Sequence, residues 1–492
     1  MIKITILNNK LCKITDADET RLKRLRRVLS YKQSGYEYTA QHRNYNWDGT
    51  IYLMTKKNEF ALGLLEKVKL FLNTNQQLFT IEDQRIPVPF GKEIDISKRL
   101  MELKKVPRDY QIEILNACLA NSKGIIRSVT GSGKTNVAAM ITAKMNYPTN
   151  VYVIGLDLLQ QFHALFSEIF DEPIGFIGNG RCEVHRINII SIWTAGRALG
   201  IKTAVSTEED VNDDEEDNTM NYPKIVRCLR AAKLHLFDEC HTIVSETIKT
   251  IYAAIDPERI YGLSGTPYRD DGTTILSNSI LGEQIIDISA SRLIKEGYLS
   301  QPIIKFVKVP KLHIGGNSTY QTIYKEYITE NVVRNNLIVE NTKDLLAKGY
   351  QTLVLFKHLA HGKNLKELFE EQGINCEYLS GKDTLDIRLN AKNRLLEGKS
   401  NLVLASTIMD IGVDIPTLSG LVLAGGSKSN IRVRQRVGRV CRIFPGKKCC
   451  AVVDFYDDIK YLKNHSKIRY NIYKSEDGFK IINSSSLTKL LT

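Results

Sequence analysis

The stretch GIIRSVTGSGKTNVAAMI, Gly124 to Ile141, decides the fold. An apolar run that reads as a buried strand turns through two glycines and continues with apolar residues at helical spacing. Such a turn lets backbone N–H groups wrap a phosphate at the positive end of the helix, where a side chain at Gly131 or Gly133 would block the approach. Ser132 lies between the glycines, Lys134 is placed against the β and γ phosphates of ATP, and the Thr135 hydroxyl is placed to ligate Mg²⁺. The usual pattern begins with glycine, and Ser128 stands there instead. A chance Gly-rich turn is the competing reading, which G-S-G-K-T between a strand and a helix sets aside.

A phosphate loop of this kind needs a second, acidic strand end in the same sheet. LHLFDECH, Leu234 to His241, supplies one about a hundred residues later. Asp238 then holds the Mg²⁺ shell, largely through water, and Glu239 orients and deprotonates the attacking water. Cys240 and His241 offer half a zinc site as the alternative. None of the nine cysteines stands in C-x-x-C spacing, and the adjacent Cys449 and Cys450 have poor geometry for one metal, so reduced, mostly buried thiols are the better reading.

Around these two segments the chain alternates short apolar strands with amphipathic helices. From about 93 to 295 the strands are GIIRSV, VYVIGL, INIISI, LHLFDE and RIYGLS; from 296 to 460 they are PIIKFVKV, QTLVLFKH, CEYLSG, NLVLAST, GLVLAGG and CCAVVDF. Alternation of this kind implies parallel sheets covered by helices on both faces, so the expected fold is α/β with two such domains in tandem. Residues 1–92 read differently: a hairpin in IKITIL and LCKI, a basic helix in ETRLKRLRRVL, a turn and strand in NYNWDGTIYLM, and a helix in FALGLLEKVKLFLN. QRIPVPFGKEID, with two prolines and a glycine, marks the boundary after this small α+β domain. The segment 206–217, STEEDVNDDEED, reads as a solvated acidic insertion, and residues 461–492 as a polar, Lys-rich tail.

At 492 residues, 43% hydrophobic and 25% charged, the composition is that of a soluble globular protein of two or three domains. No run reaches the roughly 18 apolar residues of a membrane span, and MIKITILNNKLCKI lacks the layout of a signal peptide, so the expected location is the cytoplasm. Net charge is +13 with a pI near 9.1, which suggests a polyanionic partner. The first 100 residues carry 18 Lys and Arg against 11 Asp and Glu, about half of the surplus. Arg21, Lys23, Arg24, Arg26 and Arg27 run round one helix, so only part of the cluster can face a nucleic acid, through phosphates rather than base edges; Arg24 and Arg27 are the candidates. Trp47 stands open to two readings, a base-stacking wedge or an aromatic packed beside its own Asp-Gly turn.

D-E-C-H behind a phosphate loop, with SGTPYR some 25 residues further on, resembles the DEAD/DEAH-box class of superfamily 2 helicases. The resemblance covers both α/β domains, and it implies that they are RecA-like. PRDYQ is similar to the adenine-reading element of that class, giving Arg108 and Gln111. SGT, Ser264 to Thr266, matches the motif that couples hydrolysis to strand movement, a role the resemblance extends to His241. STIMDIGVDIP resembles the motif that touches nucleic acid and ATP, through Thr407, Gly412 and Asp414. QRVGRVCR matches Q-x-x-G-R-x-x-R, giving Gln435, Arg439 and Arg442. An arginine supplied across a cleft to the transferring phosphoryl group is worth about 10³ to 10⁵ in rate. IGLDLLQQF departs from the P-T-x-x-L pattern of the class.

RNYNWDGTIYLM followed by FALGLLEKVKLFL is similar to the N-terminal domain of phage UvsW-type helicases, which remodel branched DNA. LVLFKHLAHGKNLKELF is similar to the same group and implies backbone contacts by Lys357 and His358, and GNGRCEVHRINIISIWTA implies one by Thr194. The resemblance implies an ATP-dependent, 3′ to 5′ DNA helicase acting on forks, four-way junctions or R-loops, including RNA–DNA hybrids, as a monomer in the cytoplasm of a bacterial host. An RNA helicase, a translocase that separates no strands, and an ATP-gated clamp or annealing factor remain as alternatives. No D…E-x-K nuclease cluster is found in the N-terminal section.

Overall fold

The computed structural model describes residues 1–33, 35–38, 47–201, 219–240, 246–267, 273–311, 319–381, 383–406, 415–426, 430–445, 447 and 449–483. His241, Thr407, Gly412, Asp414, the acidic insertion and residues 484–492 lie outside the described residues. The chain divides into two compact units, Met1–Ser128 with Gly133–Asp287, and Val129–Ser132 with Ile288–Thr492.

In the first unit, alternation in the strand Ile2–Ile6 buries Ile2, Ile4 and Ile6. This strand pairs antiparallel with Leu11–Thr15, which pairs antiparallel with Glu59–Ala61; on its other side it pairs parallel with Phe79–Asp83. The basic helix forms at Glu19–Val28. Asp18 caps it by accepting the Arg21 N–H at 2.9 Å, Glu19 sits in its first turn, and Arg26 and Arg27 sit in its last, the charge order that suits the helix dipole. Leu22 and Leu25 face inward onto Val68 and Leu72 of the helix Leu65–Thr74.

This small core does not close on itself. Ile275, from the helix Thr274–Leu281 of the first α/β section, belongs to it. A Cβ at Gly63 would stand 2.1 Å from the Asn278 carbonyl oxygen, so the two backbones meet where only glycine fits. Asn9 donates to Glu258 at 3.2 Å and Lys10 to the Ala253 carbonyl at 3.0 Å. The basic section is therefore packed on its neighbour.

Among the described residues the large sheet of the first unit has eight strands in the order Arg181–Glu183, Ile174–Gly178, Ile187–Ser191, Thr149–Val153, Leu234–Asp238, Arg259–Ser264, Lys123–Ser128 and Gln284–Ile288. The six from Ile174–Gly178 to Lys123–Ser128 are parallel, and Arg181–Glu183 is an antiparallel edge. Among the described residues the sheet of the second unit has seven strands, all parallel, in the order Glu377–Leu379, Leu402–Ser406, Thr352–Phe356, Gly420–Leu423, Cys449–Asp457, Gln301–Val309 and Lys480–Ile482. The apolar runs of the sequence are these strands; Ile174–Gly178, Arg181–Glu183, Gln284–Ile288 and Lys480–Ile482 are additional to them.

The stretch after residue 460, which reads as a tail, is built into the second sheet as far as it is described. The helix Leu462–Lys474 turns Leu462, Ser466, Arg469, Tyr470 and Tyr473 inward. Arg469 donates to Asp454 at 2.8 Å and Tyr473 donates to the same carboxylate at 2.7 Å, all three fully buried. A second sealed pair, Arg334 with Asp457 at 2.9 Å, ties the helix Val332–Ala347 to the same strand. Among the described residues no helix is long and apolar enough to cross a membrane.

Candidate active site

The central strand Leu234–Asp238 is buried along its whole length, so its carboxyl end is the first place the chain can meet solvent. Register sets what meets it there. Asp238 lies opposite Leu263, and Ser264, one residue on, lies opposite Arg127 at the end of the strand that feeds the phosphate loop. Asp238, Ser264 and the loop therefore share one edge of one sheet, where ligands bind in open α/β folds.

The loop itself is formed by backbone that only glycine adopts easily. Gly131 and Gly133 have φ of +88° and +79°, and Gly133 is the N-cap of the helix Lys134–Met145. That helix starts without a capping side chain, so its first-turn N–H groups are left for an anion. A Cβ at Gly133 would lie 2.6 Å from the Gln111 amide nitrogen. Gln111 is buried, and its carbonyl oxygen accepts the Arg108 N–H at 3.1 Å, so one side chain spans the start of the helix Asp109–Ala120 and the phosphate loop. Arg108 donates to the Tyr110 hydroxyl at 2.9 Å. Ser132 is buried inside the loop, and Thr135 stands in the first turn of the helix, half-buried.

Lys134 Nζ approaches Glu239 Oε1 at 3.5 Å, and the two side chains are 12% and 20% exposed. Burial disfavours the ammonium, but the charges of Glu239 and Asp238 outweigh it, and the Lys134 pKa rises above the ordinary lysine value. Glu239 is held at φ +49°, a left-handed conformation costing a non-glycine residue roughly 1 to 3 kcal/mol. The turn breaks the strand immediately after Asp238 and brings the Glu239 carboxylate to the lysine. Asp238 is 5% exposed. Ser264 is fully buried, and its Oγ accepts the Thr266 N–H at 3.1 Å, closing a small turn at the neighbouring strand end.

Cys240 does not face this edge. It is 1% exposed within the core cluster, close enough to Gly262 that a Cβ there would meet it at 2.7 Å, and burial pushes its thiol pKa up. Among the described residues no group of three or more His, Cys, Asp and Glu could hold a metal. The oxygen donors of Thr135 and Asp238 have the chemistry that suits Mg²⁺, which takes one or two protein oxygens and completes its shell with water and phosphate.

In the second unit, Gln435 and Arg439 lie one turn apart on the helix Asn430–Val440, with Arg439 nearly buried. Arg442 follows the helix. Its segment is held by an isolated bridge to Leu299 and by the Ser300 N–H donating to the Cys441 carbonyl at 2.7 Å. Lys357 and His358 follow the strand Thr352–Phe356, both exposed, with the His358 ring 4.8 Å from that of Tyr324. Back in the first unit, Thr194 is half-buried in the helix Ile192–Ala198. Arg24 and Arg27 are exposed on the basic helix and make no ion pair among the described residues, whereas Arg26 is bonded to Asn58 and Glu19. Trp47 is half-buried. Its indole N–H donates to the Thr50 carbonyl at 3.0 Å and its ring meets Tyr36 edge-on at 6.3 Å.

Three family models match the chain in sequence order: the N-terminal domain of the DNA helicase UvsW over residues 2–82, the res subunit of type III restriction enzymes over 104–269, and the helicase conserved C-terminal domain over 334–444. The S. cerevisiae protein Dbp5, solved with RNA and ADP BeF3, superposes with a TM-score of 0.55 at 14% identity, over 81% of this chain and 97% of that one, which fixes the fold. With these domains in this order the chain is an ATP-hydrolysing helicase of superfamily 2 fold, in which two RecA-like domains follow a small N-terminal domain. Within that class it is similar to the ATP-dependent DNA helicase uvsW of Enterobacteria phage T4, with 24% identity over 92% of this chain and 91% of the relative. The putative helicase 22 of Sulfolobus islandicus filamentous virus is 25% identical over 92% of this chain and 80% of its own.

Proposed function

We propose that the protein is a DNA motor that branch-migrates or unwinds forks, four-way junctions or R-loops, moving 3′ to 5′ in the cytoplasm of a bacterial host. Residues 1–92 are its basic DNA-holding section, 93–295 its nucleotide-binding domain, and 296–460 its second motor domain, to which the helix and strand that follow are joined. The observation that carries the reading is the meeting of Lys134, Asp238 and Glu239 at the carboxyl edge of one sheet.

In this reading the loop N–H groups and Lys134 bind the β and γ phosphates, and Ser132, Gly131 and Gly133 shape the cradle. Thr135 and Asp238 would hold Mg²⁺, whose charge offsets that of the phosphates. Glu239 accepts a proton from the attacking water. Before ATP arrives, Lys134 and Glu239 neutralise each other; a γ phosphate that draws Lys134 away leaves the carboxylate to act as base. Gln435, Arg439 and Arg442 carry the arginine-finger role implied by their motif, with Gly412 and Asp414 in the nucleotide set. Gln111 and Arg108 read the base, and His241, Ser264 and Thr266 couple turnover to movement. Arg24, Arg27, Thr194, Lys357, His358 and Thr407 contact DNA, and Trp47 is better placed to hold its turn than to wedge bases apart.

The test is ATP-dependent dissociation of a synthetic four-way junction beside a simple tailed duplex, with Glu239→Gln as control. Faster resolution of the junction supports a branch-migrating motor. DNA-stimulated hydrolysis without strand separation, or equal activity on matched RNA, counts against it.

A further inference from the structure

Beyond Lys357 and His358, the second unit carries a feature that the nucleotide chemistry does not use. The strands Thr352–Phe356, Cys449–Asp457 and Gln301–Val309 are parallel, so the segments leaving their carboxyl ends gather on one edge. There, aromatic rings form a continuous strip. His358 meets Tyr324 at 4.8 Å, Tyr324 meets Tyr320 at 6.0 Å, and Tyr320 meets Tyr461 at 6.1 Å and His465 at 5.8 Å. Tyr324 is the buried anchor, its hydroxyl donating to the Gly425 carbonyl. Tyr461 is the open end, 43% exposed.

Charge along the strip is positive. Lys357 Nζ stands 5.3 Å from the Tyr324 ring centre and Lys460 Nζ 5.0 Å from that of Tyr461, and neither lysine makes an ion pair among the described residues. The nearby carboxylate of Asp458 is shared by Lys311 at 3.2 Å and Lys463 at 2.9 Å, so that group too leaves one positive charge over.

The backbone under Tyr461 is strained. Its φ of +66° and ψ of −52°, with the Leu462 N–H donating to the Lys460 carbonyl at 2.9 Å, make a three-residue turn of the rare positive-φ kind. Glycine adopts this turn far more readily than a tyrosine. Burial does not explain the choice, since the ring is held out at the surface.

We propose that Tyr461 and Tyr320, flanked by Lys460, form a base-stacking platform for a single-stranded segment of DNA. Aromatic faces bind any base, and adjacent lysines follow the phosphates, which is the chemistry of sequence-tolerant strand binding. The platform extends the backbone contacts of Lys357 and His358 to the bases. It rests on the DNA-motor reading above.

The experiment measures the affinity of the full chain for oligodeoxythymidylate and for an abasic oligomer of equal length, by fluorescence anisotropy. Tyr461→Ala and Tyr320→Ala should each weaken oligodeoxythymidylate binding about tenfold, as loss of one stacked base predicts. Abasic binding should stay within about twofold of wild type, since backbone contacts are untouched, and Tyr461→Phe should bind as wild type does. Equal loss on both oligomers, or no loss on oligodeoxythymidylate, overturns the platform while leaving the motor reading standing. Wild-type protein that binds neither oligomer overturns both.

Discussion

Each of the two α/β units sets acid–base pairs on its parallel sheet, and the pairs differ in how far they are closed off from solvent. In the first, Lys134 and Glu239 meet while still reachable from solvent, and Glu239 is held in a strained turn to do so. In the second, Arg334 with Asp457 and Arg469 with Asp454 are sealed from solvent and fully hydrogen-bonded. A sealed pair serves to join elements, because neither partner can change partners without a large cost. A half-open pair can be opened by a ligand. Exposure and backbone strain, rather than the presence of opposite charges, separate the chemistry from the architecture.

The largest expected effect lies in the half-open pair. Glu239→Gln should cut ATP turnover by about 10² to 10⁴, the range for loss of a general base, while ATP binding persists; wild-type turnover would break the assignment. Next comes the sealed pair. Asp454→Asn leaves Arg469 buried without its counter-charge and should lower stability by about 3 to 5 kcal/mol, measured by denaturant unfolding. Gly133→Ala should follow, because the loop at φ +79° costs an L residue about 1 to 2 kcal/mol, with the added contact on Gln111. Its readout is weaker ATP binding with a small fall in Tm.

Smaller effects test the sections on either side. Replacing Lys23, Arg24 and Arg27 together by Gln should flatten the slope of log affinity against log salt by up to about three units. An unchanged slope would remove the basic helix from the DNA surface. The smallest concerns pH. Burial and the Arg334 charge push the His361 pKa down to about 3, and burial does the same to His235 in the first unit. Both are neutral in the fold, while the unfolded chain takes up protons near pH 6.5. Their contribution to stability is complete above that value and is lost as pH falls from about 6.5 toward 3. The melting temperature of His361→Gln should therefore fall less steeply over this window than that of wild type.

Much of this comparison could be read in the sequence, and the remainder has definite physical reasons. The apolar runs declare the central strands because a strand buried on both faces needs apolar residues throughout. The short edge strands Arg181–Glu183 and Lys480–Ile482 carry no such run. The helix Leu462–Lys474 hides because its inward face holds Arg469 and Ser466, satisfied by a distant carboxylate and carbonyl that no local pattern reveals. The phosphate loop and the acidic strand end were legible as residue types at fixed spacing. That Glu239 reaches Lys134 by a left-handed turn, that Cys240 points into the core, and that Gln111 packs on Gly133 depend on backbone direction, which side-chain chemistry alone does not encode. The Tyr461 turn had no signal beyond the residues K-Y after two acids.

The most direct test puts both kinds of pair in one experiment: Tm and ATP turnover per folded molecule, for Glu239→Gln and Asp454→Asn side by side. Glu239→Gln should lose turnover with a smaller fall in stability than Asp454→Asn, since Asp238 still faces Lys134, and Asp454→Asn should lose stability while its folded fraction hydrolyses ATP at the wild-type rate. Glu239→Gln that melts early yet turns over normally, or Asp454→Asn that melts normally yet fails to hydrolyse, would contradict this division of roles.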